Sequence, residues 1–567
     1  MGTRMPLALL CLLLGAWDGG PDHTARRCDW GQWGQGPAHD GSSCSVGQGA
    51  ARELAHVVVD PFTDQEIAES GFIVAHYQVP LIDEDGDVFV MQKAGTFVSC
   101  DPPGSGQPFP CGDDARDAQV WTETAMRWHH GQLGDRWTFL SDWKPLPARF
   151  EAMFQPALAG RSIYVPGAGG TVFQVDRDTG QLLARINPFG QAVDPTIYVA
   201  GGIAADERGN IYYNAVQLDP DDPVGSDVRG AWLIEVTPRG RVLEVDYTTL
   251  VADAPAADDL CYRTFRDQSP RPPHPWPPTP ESFPPQSACQ SQRPGFNVTP
   301  AIGPGGTIFT VTRAHASAAY SFLVALHPDL SLAWTVSLRD QLFDGCGVLV
   351  PYGGFDCPSG TELGVDPATN LPPAGQVTDD GSASPVALPD GGVLYGALTT
   401  HNQAGAGHLM KFDREGDFVG SFDFGWDTTP AIYRHDGTYS IVLKENRYLD
   451  GLFYITQLDP DLDVEWRFQN TTIETCERQH DGTIICVDDG LHPTGFEWCA
   501  NAVAVDRRGS VFTTSEDGNF YVIGQGGVER GRLFLNRTLG ALYTPLALDS
   551  RGRAYAMNDG DLFVIGR

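Results

Sequence analysis

The chain has 567 residues, and its 72 acidic against 38 basic side chains leave a net charge of −34, a balance that repels phosphate backbones and argues against a nucleic-acid partner. Its 65 glycines and 43 prolines, with 10% aromatic residues, fit many short strands joined by tight turns. Beyond the amino-terminal stretch no run approaches the ~20 apolar residues needed to cross a bilayer, so no transmembrane segment is expected.

Residues 1–16 place Arg4 ahead of Met-Pro-Leu-Ala-Leu-Leu-Cys-Leu-Leu-Leu-Gly-Ala, a run too short to span a membrane and ending in small residues. It reads as a cleaved secretory signal, which predicts a secreted or periplasmic chain. Cys11 follows Leu10, where a lipid-modified cysteine wants a small residue. Residues 17–53, rich in glycine and glutamine and carrying Trp30 and Trp33, read as an irregular arm. Of the twelve cysteines, ten fall into near-neighbour couples: Cys28 with Cys44, Cys100 with Cys111, Cys261 with Cys289, Cys346 with Cys357, and Cys476 with Cys486. Export makes these disulfides. Cys499 is left over, either as a buried thiol or as an alternative partner for Cys476 or Cys486. No couple has CxxC spacing and the histidines are scattered, so no zinc site is expected.

Leu54 to Asp60 reads as a lone strand. From there a short unit repeats: an apolar run, a turn closed by glycine, then a β-branched and aromatic run. Asp83-Glu-Asp-Gly86, Asp206-Glu-Arg-Gly209, Asp506-Arg-Arg-Gly509 and Asp549-Ser-Arg-Gly552 are the clear copies, and looser ones turn at Gly160, Gly306, Gly391 and Gly437. Glycine belongs there because the turn requires positive φ. A second hairpin follows most of these eight, so each unit makes a four-stranded antiparallel sheet. Eight such sheets predict an all-β, eight-bladed β-propeller over 54–567, as a single domain. The last unit stops after Asp561-Leu-Phe-Val-Ile without a fourth strand, and Val57 to Val59 is the expected donor that closes the ring.

The units are unevenly spaced because of insertions. Those near 100–119 and 219–230 fall between second and third strands; those near 251–294, 340–381 and 471–497 fall between a fourth strand and the next first strand. In an up-and-down sheet these connections emerge at one end, so the insertions crowd one face. Val251 to Pro294, with its run of prolines, should be an extended flap stapled by Cys261 and Cys289.

Asp83-Glu-Asp-Gly-Asp87 resembles the start of a calcium loop, but it lies where other blades simply turn and lacks the later glutamate. His129 and His130 are adjacent on a strand and point to opposite sides, which favours solvated or packed roles. Asn297, Asn470 and Asn536 stand in glycosylation sequons. The mouth of the central channel on the inserted face is the expected binding site, with Asn214, Arg313, His315, His401, Asn402, Lys444, Glu445 and Arg447 at its strand ends. A local positive mouth in so acidic a chain suits an anionic ligand.

Three features carry a family resemblance: Val175-Asp-Arg-Asp-Thr-Gly-Gln-Leu-Leu, the Asp-Leu-x-x-x-Trp endings at Trp334 and Trp466, and the Thr-Pro-Ala, Ser-Pro-Val and Thr-Pro-Leu steps at Pro300, Pro385, Pro430 and Pro545. Together they resemble repeats of the quinoprotein-type (PQQ-like) propeller family. The resemblance implies eight blades closed by an amino-terminal strand. In the family's enzymes it implies calcium and pyrroloquinoline quinone, the quinone lying against two adjacent cysteines; this sequence contains no such pair and offers no recognisable site for either. Two functions follow. The first is an exported, non-catalytic propeller that binds a protein or small-molecule ligand on its inserted face. The alternative is a secreted enzyme, a divergent quinoprotein-like oxidoreductase or a lyase or hydrolase, working at the channel mouth.

Overall fold

The computed structural model describes residues 28–567 apart from 71–74, 77, 99–117, 148–151, 274–275, 343–365, 367–368, 372–373, 380, 399–406, 426, 449–450, 480–481, 499 and 537–544. Eight antiparallel sheets follow one another along the chain, each of four strands save one in which the short strand Gln292–Pro294 is added. Their first strands are Leu81–Ile82, Ala157–Ala159, Ile197–Ala205, Ala301–Ile302, Val386–Ala387, Ala431–His435, Ala504–Val505 and Leu546–Leu548, which number blades 1 to 8. These strands touch their neighbours around a ring, blade 1 meeting blade 8, and so line the centre. Fourth strands such as Phe418–Asp423 and Val528–Phe534 carry only exposed and half-buried residues, as outer edges should. The chain is an eight-bladed β-propeller.

Closure occurs where the sequence places it. Arg52–Val58 pairs antiparallel with Asp561–Gly566, setting His56 opposite Phe563 and Val57 opposite Leu562. All eight turn glycines have positive φ, from 58° at Gly160 to 92° at Gly391. The Asp-x-x-Gly turns share one device: the aspartate Oδ1 accepts from the backbone N–H groups two and four residues on, as Asp83 does from Asp85 and Asp87 at 3.0 and 2.9 Å. Asp206, Asp506 and Asp549 repeat it. Asp87 meanwhile pairs with Arg127 and Arg136, so the carboxylates of this stretch serve a turn.

Neighbouring blades are tied at the inner strands and at the rim. At or just before the first strands, the Gly202 N–H donates to Thr299 Oγ1, the Thr299 N–H to Ser384 Oγ and the Ser384 N–H to Thr429 Oγ1, at 3.0 to 3.2 Å. The hydroxyl ahead of Pro300, Pro385 and Pro430 therefore caps a backbone donor of the preceding blade. Gln155, ahead of Pro156, does the same for Val79. At the rim, Trp137 of blade 1 lies over Gly180 of blade 2 and Trp334 of blade 4 over Gly416 of blade 5; a Cβ on either glycine would come within 2.7 to 2.9 Å of the ring. Both indoles donate to a carbonyl of the same turn, Arg177 at 3.0 Å and Arg414 at 2.9 Å.

The arm does more than the sequence suggests. Carbonyls of Trp30, Gly31, Pro37, Ala38, Asp40 and Gly41 accept in turn from Ile82, Leu158, Ile302, Ala387, Ile432 and Val505, the inner strands of blades 1, 2, 4, 5, 6 and 7, at 2.7 to 2.9 Å. Gln32 makes the bond to blade 3 through its side chain, at Ala205, and the Gln48 N–H donates to Gly552 of blade 8. Residues 30–48 thus visit every blade in chain order, at the end where first strands turn, with Trp30 and Trp33 buried. The disulfide Cys28–Cys44 joins the arm's two ends. Among the described residues no helix is long and apolar enough to cross a membrane.

Candidate functional site

A cavity of about 460 Å³ opens at the inserted end of blade 4. Three insertions build it: Val224 and Gly225 come from the loop after Ile211–Gln217, Arg263, Ser287 and Gln290 from the flap after blade 3, and Asp379 from the segment leading into blade 5. The flap is itself a small hairpin, Leu260–Tyr262 paired with Gln286–Ala288 and stapled by Cys261–Cys289. Three of the five inserted segments thus meet at this cavity.

Arg293, on a short strand beside Ile308–Ala314, is the buried centre. Its Nη1 and Nη2 donate to the two Asp379 oxygens at 2.7 and 2.6 Å, its Nε to His315 Nδ1 at 2.7 Å, and its guanidinium lies 3.8 Å from the Phe296 ring centre. Arg313 adds a bond of 3.0 Å to Asp379. Burial alone would raise the Asp379 carboxyl, but the two guanidiniums hold it well below the usual carboxylate range. His315 is lowered to about 3 by burial and then by the two arginines, so it is neutral at physiological pH. An arginine only donates, so Nδ1 must be the acceptor and the ring proton sits on Nε2. That Nε2 faces the Val224 backbone without a well-formed hydrogen bond.

The other residues expected at the mouth separate. Asn214 is buried in a structural network, donating to the Val298 carbonyl at 3.0 Å and accepting from Tyr247 at 2.7 Å. Lys444 and Glu445 are neighbours on Thr438–Arg447 and face opposite ways. Glu445 is taken up by Thr456 and Arg467, at 2.7 and 2.6 Å. Lys444 is buried and close enough to act on the buried Asp427 carboxyl, which burial raises while Lys444 and His76 draw it down. Arg447 is at the exposed end of that strand. His401 and Asn402 lie outside the described residues, as do Cys100, Cys111, Cys346, Cys357 and Cys499; the third described disulfide is Cys476–Cys486. His129 and His130 are exposed at a turn. Sequence reasoning missed Arg293 and Asp379, which sit inside insertions with no strand register to place them; the one signal was the arginine ending the flap just before Pro294.

No family model and no curated protein matches the chain. Solved structures do. A europium-containing methanol dehydrogenase superposes with a TM-score of 0.50 at 10% identity, over 93% of this chain and 89% of that one. The quinohemoprotein alcohol dehydrogenase from Comamonas testosteroni gives 0.50 at 11% identity, over 96% and 81%. This chain has the fold of the quinoprotein-type propellers. BamB from Moraxella catarrhalis matches at a TM-score of 0.31 and 10% identity, over 88% and 86%. The likeness lies in the propeller and its repeat.

The calcium that the sequence resemblance implies does not fit the described residues. The polar cluster ahead of the first strands of blades 5 to 7 holds one carboxylate, Asp427. It already accepts from the Ser382 and Ala383 N–H groups at 2.9 and 2.6 Å and from Asn501. One orphaned oxygen, Asn501 Oδ1, is far short of the ~6 to 8 oxygens that calcium takes. The Lys444 ammonium already supplies positive charge there, and among the described residues no three histidine, cysteine or acidic side chains group as metal ligands.

Proposed function

We propose that this chain is an exported, non-catalytic propeller that binds a ligand or partner on its insertion-rich face, with the blade 4 pocket as the point of recognition. The observation that carries this reading is the state of the pocket's titratable groups. His315 has its lone pair engaged by Arg293 and its proton on the other nitrogen, so it has no free base to offer Ser287 or a substrate. Asp379 is held ionised between two arginines and cannot take up a proton near neutral pH. Such an arrangement recognises charge and shape. Three disulfides among the described residues support an oxidising destination, and the segment at residues 1–16 supports export.

The buried Lys444 beside Asp427 and His76 favours a second reading, an enzyme at the channel mouth. The two part on one assay. The mature chain, supplied with calcium and pyrroloquinoline quinone, is expected to turn over no alcohol, sugar, sulfate ester or uronide polymer. Turnover that disappears in Lys444→Met would overturn the binding reading.

A further inference from the structure

Besides its arginines, the blade 4 pocket holds three buried polar atoms without a partner: His315 Nε2, Ser287 Oγ and Gln290 Oε1. His315 itself is 6% exposed, so its N–H is sealed from bulk water and meets the cavity. Buried polar atoms left unpaired are costly and are rare without a reason. Their chemistry specifies what is missing. His315 Nε2–H is a donor and asks for an acceptor. Gln290 donates through Nε2 to the Gly225 carbonyl at 2.7 Å, which fixes the amide and leaves Oε1 as a pure acceptor asking for an O–H or N–H. The serine hydroxyl serves either way.

Charge narrows the choice. Arg263, Arg293 and Arg313 line the cavity against the single carboxylate of Asp379, an excess of positive charge in a chain of net charge −34. Arg293 is saturated by its partners, but Arg263 bonds only the Ala316 carbonyl at 2.8 Å and approaches Asp267 at 3.5 Å, and it is partly exposed. Its guanidinium has donors to spare. A bare oxyanion would satisfy Arg263 and His315 and leave Gln290 unpaired; a neutral polyol would satisfy Gln290 and leave the positive charge uncompensated.

Resting on the binding reading above, we infer that this pocket takes a small hydroxylated oxyanion, a carboxylate or phosphate carried on a polyhydroxyl frame. The cavity lies within the ~300 to 1,000 Å³ range of small-molecule sites, ample for one sugar ring. The oxyanion lies towards Arg263 and His315, and a hydroxyl donates to Gln290.

Calorimetry on the mature full-length chain tests this with glucuronate, glucose 6-phosphate, glucose and inorganic phosphate, the first two separating carboxylate from phosphate. At least one hydroxylated anion is expected to bind about tenfold or more tighter than both glucose and inorganic phosphate. Arg263→Ala should remove the advantage over glucose, and Gln290→Leu the advantage over inorganic phosphate. Both side chains are at the rim of the flap, and the circular dichroism of each variant checks its fold. Glucose binding as tightly as the acids and weakened by Ser287→Ala would overturn the ligand class while leaving the binding function standing. Binding of none of the four, or anion binding indifferent to Arg263→Ala, would overturn the site.

Discussion

Glu123, on Gln119–His129 of blade 1, is a fully buried carboxyl with one neutral partner. Gln78 Nε2 donates to its Oε1 at 3.1 Å, and Oε2 meets nothing. Burial therefore pushes it up to about 8, and it is protonated at neutral pH. The unfolded value is near 4.5, so the folded state binds the extra proton between 4.5 and 8; stability from this group is complete below 4.5 and declines as the pH rises through 8. Glu123→Gln keeps the shape and cannot ionise. Its melting temperature is expected to fall less between pH 5 and pH 8.5 than that of the parent, and scanning calorimetry at the two values reads the difference. His39 works in the other direction. Buried in the arm with Nδ1 at the Pro385 carbonyl, it is lowered to about 4 by burial, so its contribution is complete above 6.5 and is lost as the pH falls towards 4. A His39→Asn variant, whose side chain tolerates the positive φ of 59° there, should flatten the acid limb of the same curve.

At the scale of the element, the hairpins were legible because glycine, aspartate and β-branched residues mark a tight turn by chemistry that acts within five residues. The tryptophan endings at Trp334 and Trp466 were legible only as a repeat; the structure supplies their reason, a ring from one blade laid across a glycine of the next. Gly416→Ala is expected to cost about 2 to 4 kcal/mol, combining a left-handed φ with a Cβ driven into the Trp334 ring. Gly240→Ala, with a similar φ of 77° and open space around the Cβ, should cost only the backbone part, about 1 to 2 kcal/mol. Urea midpoints for the two variants separate the contact from the turn. Arg293 and Asp379 were not legible because a salt bridge between two insertions obeys no period. Asn214 and Glu445 were placed correctly on their strands and wrongly in role, since alternation tells which side a residue faces and not what waits there.

For the molecule as a whole, the strand order and the lent strand Arg52–Val58 could be read from the pattern, but the path of the arm could not. Its bonds are almost all to backbone, and a glycine-rich segment advertises none of them. Removing residues 28–48 while keeping Arg52–Val58 should leave the ring closed and strip bonds from the inner strands of blades 1 to 7 and from the Gly552 turn of blade 8. Hydrogen exchange is the measure: the amides of Ile82, Leu158, Ile302, Ala387, Ile432 and Val505 are expected to lose protection together, while those of the second and third strands keep most of theirs. Loss confined to blades 7 and 8, nearest Cys44, would show that the arm acts locally.

The path of the arm also sets a timetable. The residues that leave the ribosome first find their final partner, Gly552, among the last to be made, and each stop in between waits on a blade emerging later than the one before. Trp30 can meet Ile82 as soon as blade 1 is made, but the arm and the lent strand Arg52–Val58 are seated in full only when blade 8 exists.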